Sequence, residues 1–240
     1  MESVPEVAAP PPARTRRAGY WIDLIFGRTL PALFFGLFLV YQYTIVTIVL
    51  SRLLHGGQPA SEYIALANRC LKLAFFTMLI VMYVIRLPAK ETDRRPLIMA
   101  VSLIGTFCIL ATSYLPATPR GTGAVLISDM LITFGMAWAV WGLAYLRRSF
   151  SIVPEARELV TGGPYALSRN PLYFGEGIAS VGVMLPVFGP WQAALLVLFI
   201  GSQALRIRWE QQILEKAFGE SYRRYRERVP VFIPVWPVRR

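Results

Sequence analysis

Charge is scarce in this sequence, and the side chains that most often do chemistry are scarcer still. Of 240 residues only 16% are charged, two are cysteine and one is histidine. Soluble domains carry about a quarter charged residues, which disfavours an ordinary water-soluble domain. Cys70 and Cys108 fall in or beside apolar runs. Nothing there suggests a disulfide framework, and each is expected to be a small, buried, apolar side chain. No cluster of ligating residues stands at metal-binding spacing, so no metal is expected. His55 lies alone in a short loop and reads as solvated surface. No zinc-finger or RNA-recognition signature accompanies the net charge of +11, so nucleic acid is not an expected partner.

What the sequence has instead is apolar length. Hydrophobic residues make up 55% of the chain, and the mean hydropathy is +0.48. They gather into runs of the kind read as membrane spans. Six are expected, at residues 30–50, 71–87, 97–115, 123–146, 172–188 and 191–205. Tyr20, Trp21 and Phe26 precede the first as an interfacial anchor. Arg69 and Lys72 open the short second run and are expected to snorkel to the interface. The last two runs are slightly short for spans and are joined by Gly189-Pro190, which reads as a tight hairpin. Of the Lys and Arg residues, 21 fall on the side shared by both termini and four on the other. The positive-inside rule therefore puts both termini in the cytoplasm. The expected fold is all-α: a polytopic transmembrane helix bundle of about six spans with a cytoplasmic C-terminal helical extension. Its parts are a disordered cytoplasmic tail at 1–19, a four-span membrane region at 20–146 and a catalytic region with the membrane hairpin at 147–240.

Two polar stretches on the cytoplasmic side are long enough to hold chemistry. The first runs from Arg157 through Gly162-Gly163-Pro164-Tyr165 to Arg169-Asn170-Pro171-Leu172-Tyr173. Gly-Gly-Pro demands a turn, and Pro171 biases Asn170 away from helix. The backbone is thus irregular at the membrane surface, and its amides need partners that a polar cofactor can supply. A plain turn with an interfacial Arg/Tyr anchor accounts for the same residues. In the second stretch Arg206 and Glu210 stand four apart on one helix face. They make either a surface ion pair worth a few tenths of a kcal/mol or two groups aimed at a ligand, the arginine at an anion and the carboxylate at a cation.

Leu-Val-Thr-Gly-Gly-Pro-Tyr at 159–165, Arg-Asn-Pro-Leu-Tyr at 169–173, Arg206 with Glu210, and Phe218-Gly219-Glu220-Ser221-Tyr222 followed by Tyr225 and Val229-Pro230 occur in that order. Together they resemble the isoprenylcysteine carboxyl methyltransferase family, a pattern shared with phospholipid N-methyltransferases. The likeness covers residues 149–234. It implies an integral membrane enzyme dependent on S-adenosyl-L-methionine, with a lipid or isoprenoid methyl acceptor taken from the bilayer. It implies cofactor contacts from Arg157, Glu158, Leu159, Val160, Tyr165, Asn170, Pro171, Leu172, Tyr173 and Glu210. It implies that Arg206 binds substrate, with Arg206 and Glu210 carrying catalysis. Two positions depart from the family: Asn170 stands where it has histidine, and Gln211 replaces the second of a glutamate pair. Both bear on which acceptor is used.

Methyl transfer from a sulfonium needs alignment more than acid–base help. A carboxylate nucleophile is ionised at neutral pH, so O-methylation of a lipid acid suits a site with no histidine or cysteine. Phospholipid N-methylation is the alternative, with Glu210 or Glu176 taking the proton. A third reading is an NADPH-dependent membrane reductase of sterol or isoprenoid type. The chain has no room for a soluble Rossmann methyltransferase domain, and its single glycine-rich turn is not the dinucleotide fingerprint.

Overall fold

A computed structural model describes residues 23–54, 60–93 and 95–232. The expected tail at 1–19, the anchor residues Tyr20 and Trp21, and His55 lie outside the described residues, as does the side chain of Phe26.

Helix α1 (Leu30–Leu54) follows a π-helical turn at Asp23–Thr29, and α2 spans Ala60–Ile85. Helix α3 (Pro96–Phe107) runs on as a 3-10 segment, Cys108–Tyr114. Helices α4 (Thr122–Leu146), α5 (Pro171–Met184), α6 (Pro190–Phe218) and α7 (Glu220–Arg228) complete the bundle. Pro96, Pro171 and Pro190 each open a helix, where the missing N–H costs nothing. Four segments are long and apolar enough to cross a bilayer: Leu30–Leu54, Glu62–Ile85, Pro96–Tyr114 and Thr122–Ser149. They overlap the first four expected spans, but the second begins at Glu62, so Arg69 and Lys72 lie within its helix and not at its start. Leu37, Val40, Leu97 and Val197 point outward on such helices, as side chains facing lipid do. The chain is an integral membrane protein.

The fifth and sixth runs fold differently from full-length spans. The apolar helical segment Pro171–Val187 is shorter than the other four. Helix α6 is 29 residues long but becomes polar from Arg206 onward. The two meet each other through side chains, Tyr173 with Glu210 and Gln203 with Glu176, but each packs its backbone mainly elsewhere. Helix α5 packs on α4, and α6 packs chiefly on α3. Small residues decide this. A Cβ on Gly135 of α4 would lie 2.6 Å from Gly175 O and Ala179 N, and one on Gly175 would lie 2.6 Å from Gly135 O and Ala139 N. The two backbones therefore touch across matched Gly-xxx-Ala faces, the close-approach device of membrane helices. Ser128 Oγ adds a 2.7 Å bond to Gly182 O. On the other arm, Gly105 of α3 receives Ser202 of α6.

One feature lies outside an all-α expectation. Strand β1 (Glu91–Thr92) pairs antiparallel with β2 (Glu155–Ala156). Two further bonds, Leu87 N to Arg148 O at 3.0 Å and Lys90 N to Ala156 O at 2.7 Å, extend the tie. The loop after α2 thereby holds the loop after α4 in place over α6.

Candidate active site

The loop between α4 and α5 is shaped by its own sequence. Arg147, at φ 47°, breaks α4. Gly163 sits at φ +59°, and a Cβ there would fall 2.3 Å from the Tyr145 ring, so only glycine fits. Pro164 and Tyr165 follow in a 3-10 turn, Gly163–Ala166, and both are buried. Ser168 Oγ accepts from Asn170 N at 3.2 Å, which orients the residue before Pro171.

The chain's C-terminal part returns to this loop. Gly219, at φ +51°, separates α6 from α7. Helix α7 turns Tyr222 and Tyr225 inward, and Tyr225 Oη donates to Tyr165 O at 2.7 Å. Beyond it, Arg169 N donates to Pro230 O at 2.9 Å, while Ser168 Oγ and Asn170 Nδ2 donate to Val231 O at 3.2 and 3.0 Å. The strap at 230–231 thus fixes three consecutive residues of the loop.

Between loop, α5, α6 and α7 lie two adjoining clefts of about 420 and 530 Å³, counting their open mouths. The larger is walled by Arg157, Glu158, Leu159, Val160, Tyr165, Asn170 and Glu210. The smaller shares Tyr165, Asn170 and Glu210 and adds Leu172 and Tyr173. Nine of the ten residues expected to touch a cofactor therefore meet around one space. Pro171 does not: it is fully buried at the start of α5, packed on Gly142 of α4. Arg206 lines neither cleft. It lies one layer beneath, 4% exposed, donating to Gln203 Oε1 and Ile152 O, each at 2.8 Å. Its guanidinium stands over the Tyr173 ring, 5.0 Å from the centroid.

Arg206 and Glu210 do not bond to each other, so of the two readings of this pair the surface ion pair is not formed. Glu210 instead accepts from Tyr173 Oη at 2.9 Å. Glu176, on α5, accepts from Gln203 Nε2 at 3.1 Å. A continuous polar chain therefore runs from Tyr173 and Arg206 through Gln203 to Glu176, between α5 and α6. Burial pushes the Glu210 carboxyl above its ordinary pKa, and the Tyr173 hydroxyl and the Arg206 charge only partly oppose it. Burial, reinforced by the Glu210 charge, holds the Tyr165 phenol well above its ordinary value, so it stays protonated at neutral pH and is no base.

Among the described residues, no group of side chains suits a metal ion. Sequence reasoning missed Ser149, Arg169, Tyr222 and Tyr225 as cleft residues. The three-residue spacing of the two tyrosines, which puts both on one helix face, was the available signal for that pair. Nothing local marks Ser149.

Residues 124–221 match the family model described as phospholipid methyltransferase. Protein-S-isoprenylcysteine O-methyltransferase B of Arabidopsis thaliana is 34% identical over 113 residues, 47% of this chain and 54% of that protein. Protein-S-isoprenylcysteine O-methyltransferase of Schizosaccharomyces pombe is 37% identical over 81 residues, 33% of this chain and 34% of that one. The cobalt-zinc-cadmium resistance protein CzcN of Cupriavidus metallidurans is 32% identical over 117 residues, 45% of this chain and 51% of that protein. The chain thus spans about half, or less, of the length of the curated relatives it matches. A solved structure described as the eukaryotic intramembrane Ras methyltransferase ICMT aligns over 92% of both chains at 15% identity and a TM-score of 0.39, too weak a likeness to define the fold. The resemblance carried by the C-terminal blocks is supported by the family match and by the two isoprenylcysteine methyltransferases.

Proposed function

We propose that this protein is an S-adenosyl-L-methionine-dependent carboxyl O-methyltransferase acting on a lipid or isoprenoid acid at the cytoplasmic face of the membrane. The observation that supports it is the convergence of nine residues, Glu210 among them, on two adjoining clefts. The residues fit such a cofactor. Ser149 Oγ, Arg157 Nε and two nitrogens of Arg169 are buried without a partner. Unmet polar atoms at a cleft wall are costly unless a polar ligand satisfies them.

When bound, the cofactor supplies a methyl group on a sulfonium that is its own leaving group. Glu210, ionised, would face the cationic end of the donor, its amine included, and Tyr173 Oη holds that carboxylate in place. Residues 157–160 and Tyr165 shut water out from the loop side. Arg206 keeps its Nε without a protein partner, and in this reading it offers that donor to the acceptor's carboxylate from beneath the cleft. Bringing a cation and an anion together in a site of low dielectric also favours the reaction, because charge is lost on the way to products.

A second reading, phospholipid N-methylation, is favoured by the description of the matching family model. It requires a proton acceptor, for which the candidates are Glu210, which lines both clefts, and Glu176, at the end of the polar chain. The test is ligand binding to detergent-purified protein: S-adenosylhomocysteine is expected to bind and NADPH is not. NADPH binding without S-adenosylhomocysteine binding overturns both methyltransferase readings.

The raised pKa of Glu210 gives this binding a direction with pH. Protonation removes the negative charge that would face the ligand's amine, the cation S-adenosylhomocysteine retains, so affinity for it is expected to fall on acidification, beginning above the ordinary glutamate range. Stability moves the opposite way. A carboxyl with a folded pKa above its unfolded value binds more protons when folded, so acidification through that window stabilises the empty protein. Tyr173→Phe removes a contact that lowers the Glu210 pKa and is expected to move the binding midpoint to higher pH; Glu210→Gln is expected to flatten the profile. Titration calorimetry across pH checks both, and an unchanged midpoint in Tyr173→Phe contradicts the assignment.

A further inference from the structure

Arg169 is the charged cleft residue left without a role. It lines both clefts. Its backbone is pinned by Pro230 O, and its guanidinium meets the Tyr222 hydroxyl. Yet Nε and Nη1 are buried with no hydrogen-bond partner. Among the described residues no carboxylate lies within ion-pair distance of it. Arg157, on the same wall, differs: it is paired with Glu155.

A guanidinium cannot shed its proton, so burying one without an anion is costly. Its planar fork matches a carboxylate. The cleft therefore carries a fixed cation with open donors and, at Glu210, a fixed buried anion. That pair is the complement of an amino-acid zwitterion.

Resting on the methyltransferase reading above, we infer that Arg169 binds the α-carboxylate of the methyl donor's amino-acid end, while Glu210 faces its cationic part. Arg169 then grips the donor and does not touch the acceptor. A carboxylate on the acceptor lipid is the other source of the same chemistry, and the experiment separates the two.

The full-length protein in detergent is titrated, without acceptor, with S-adenosylhomocysteine and with its decarboxylated analogue, which keeps the amine and loses only the carboxylate. Wild-type protein is expected to prefer S-adenosylhomocysteine by about 30-fold, the scale of a charge-assisted hydrogen bond. Arg169→Ala is expected to weaken S-adenosylhomocysteine by about the same factor and the analogue by less than about threefold, erasing the preference. Arg169→Lys, which keeps the charge but not the fork, falls between. Equal weakening of both ligands in Arg169→Ala means a scaffold role and overturns the inference. Unchanged S-adenosylhomocysteine affinity with a raised KM for the acceptor moves the arginine to the other substrate and overturns it as well. Wild-type protein that prefers neither compound, though it binds S-adenosylhomocysteine, contradicts the carboxylate contact. Wild-type protein that binds neither defeats the methyltransferase reading and this inference with it.

Discussion

Arg206→Ala is expected to lower methyl transfer by at least about 100-fold, equivalent to about 2.7 kcal/mol of transition-state stabilisation, while affinity for S-adenosylhomocysteine at pH 8 stays within about threefold. The two halves of this expectation come from one placement. Arg206 lines neither cleft, so the donor's binding surface survives its removal. It also reaches Gln203 Oε1, Ile152 O and the face of Tyr173, so the inner end of the site loses a buried cation when it is truncated. Removing Arg206 takes away a charge that lowers the Glu210 pKa, so the comparison is made at pH 8, on the alkaline side where protonation of Glu210 weakens binding least. Arg206→Lys keeps a charge but lacks the fork needed for two carbonyl partners and an acceptor together, and is expected to recover only part of the rate. Parallel loss of S-adenosylhomocysteine affinity and turnover contradicts the assignment and makes Arg206 a support of the donor cleft.

Gly175→Leu is expected to abolish assembly of the protein, and Gly175→Ala to cost on the order of 1–3 kcal/mol, the range for overpacking a tight contact. The atoms a new Cβ meets are Ala139 N and Gly135 O, at 2.6 Å. These are backbone atoms of α4 and cannot rotate aside, so the helices must part. Gly177, two residues on in α5, has nothing within 4 Å of its Cβ position. Gly177→Ala is therefore expected to be neutral or slightly stabilising, since glycine is the poorer helix former. Thermal unfolding in detergent, followed by size-exclusion chromatography, distinguishes the two positions. Equal effects at Gly175 and Gly177 contradict the close helix crossing. The crossing matters for function because α4 ends at the site loop and α5 begins at it, so their separation would pull Tyr173 away from Glu210.

Local chemistry made part of this legible in the sequence. The four long apolar runs became helices because hydropathy alone decides that in a bilayer. Gly163-Pro164-Tyr165 became a buried turn because the turn needs a positive φ that only glycine supplies beside Tyr145. Arg157 to Val160, Tyr165, Asn170, Tyr173 and Glu210 gathered at one cleft, as the ordered motif blocks implied. What stayed hidden depends on contacts between distant segments. Asn170 spends its amide on Val231 O, 61 residues away. Arg206 is buried because Ile152 O, 54 residues back, comes over α6 to meet it. That crossing rests on the pairing of Glu91–Thr92 with Glu155–Ala156, which no hydrophobic pattern announces. Pro171 has the motif's position but not its exposure, because α5 packs on α4 at that point. The two runs flanking Gly189-Pro190 pack mainly on other helices for a related reason: small residues on α4 and α3 let α5 and α6 approach them closely.

The most direct measurement supplies purified protein with S-adenosylmethionine carrying a tritiated methyl group and an extract of membrane lipids, then treats the labelled lipid with alkali. The expected result is lipid-bound label that is released as methanol, in an amount that falls with Arg206→Ala. Label that resists alkali, as a methylamine does, or no transfer by a protein that binds NADPH instead, would contradict carboxyl methylation in this cleft.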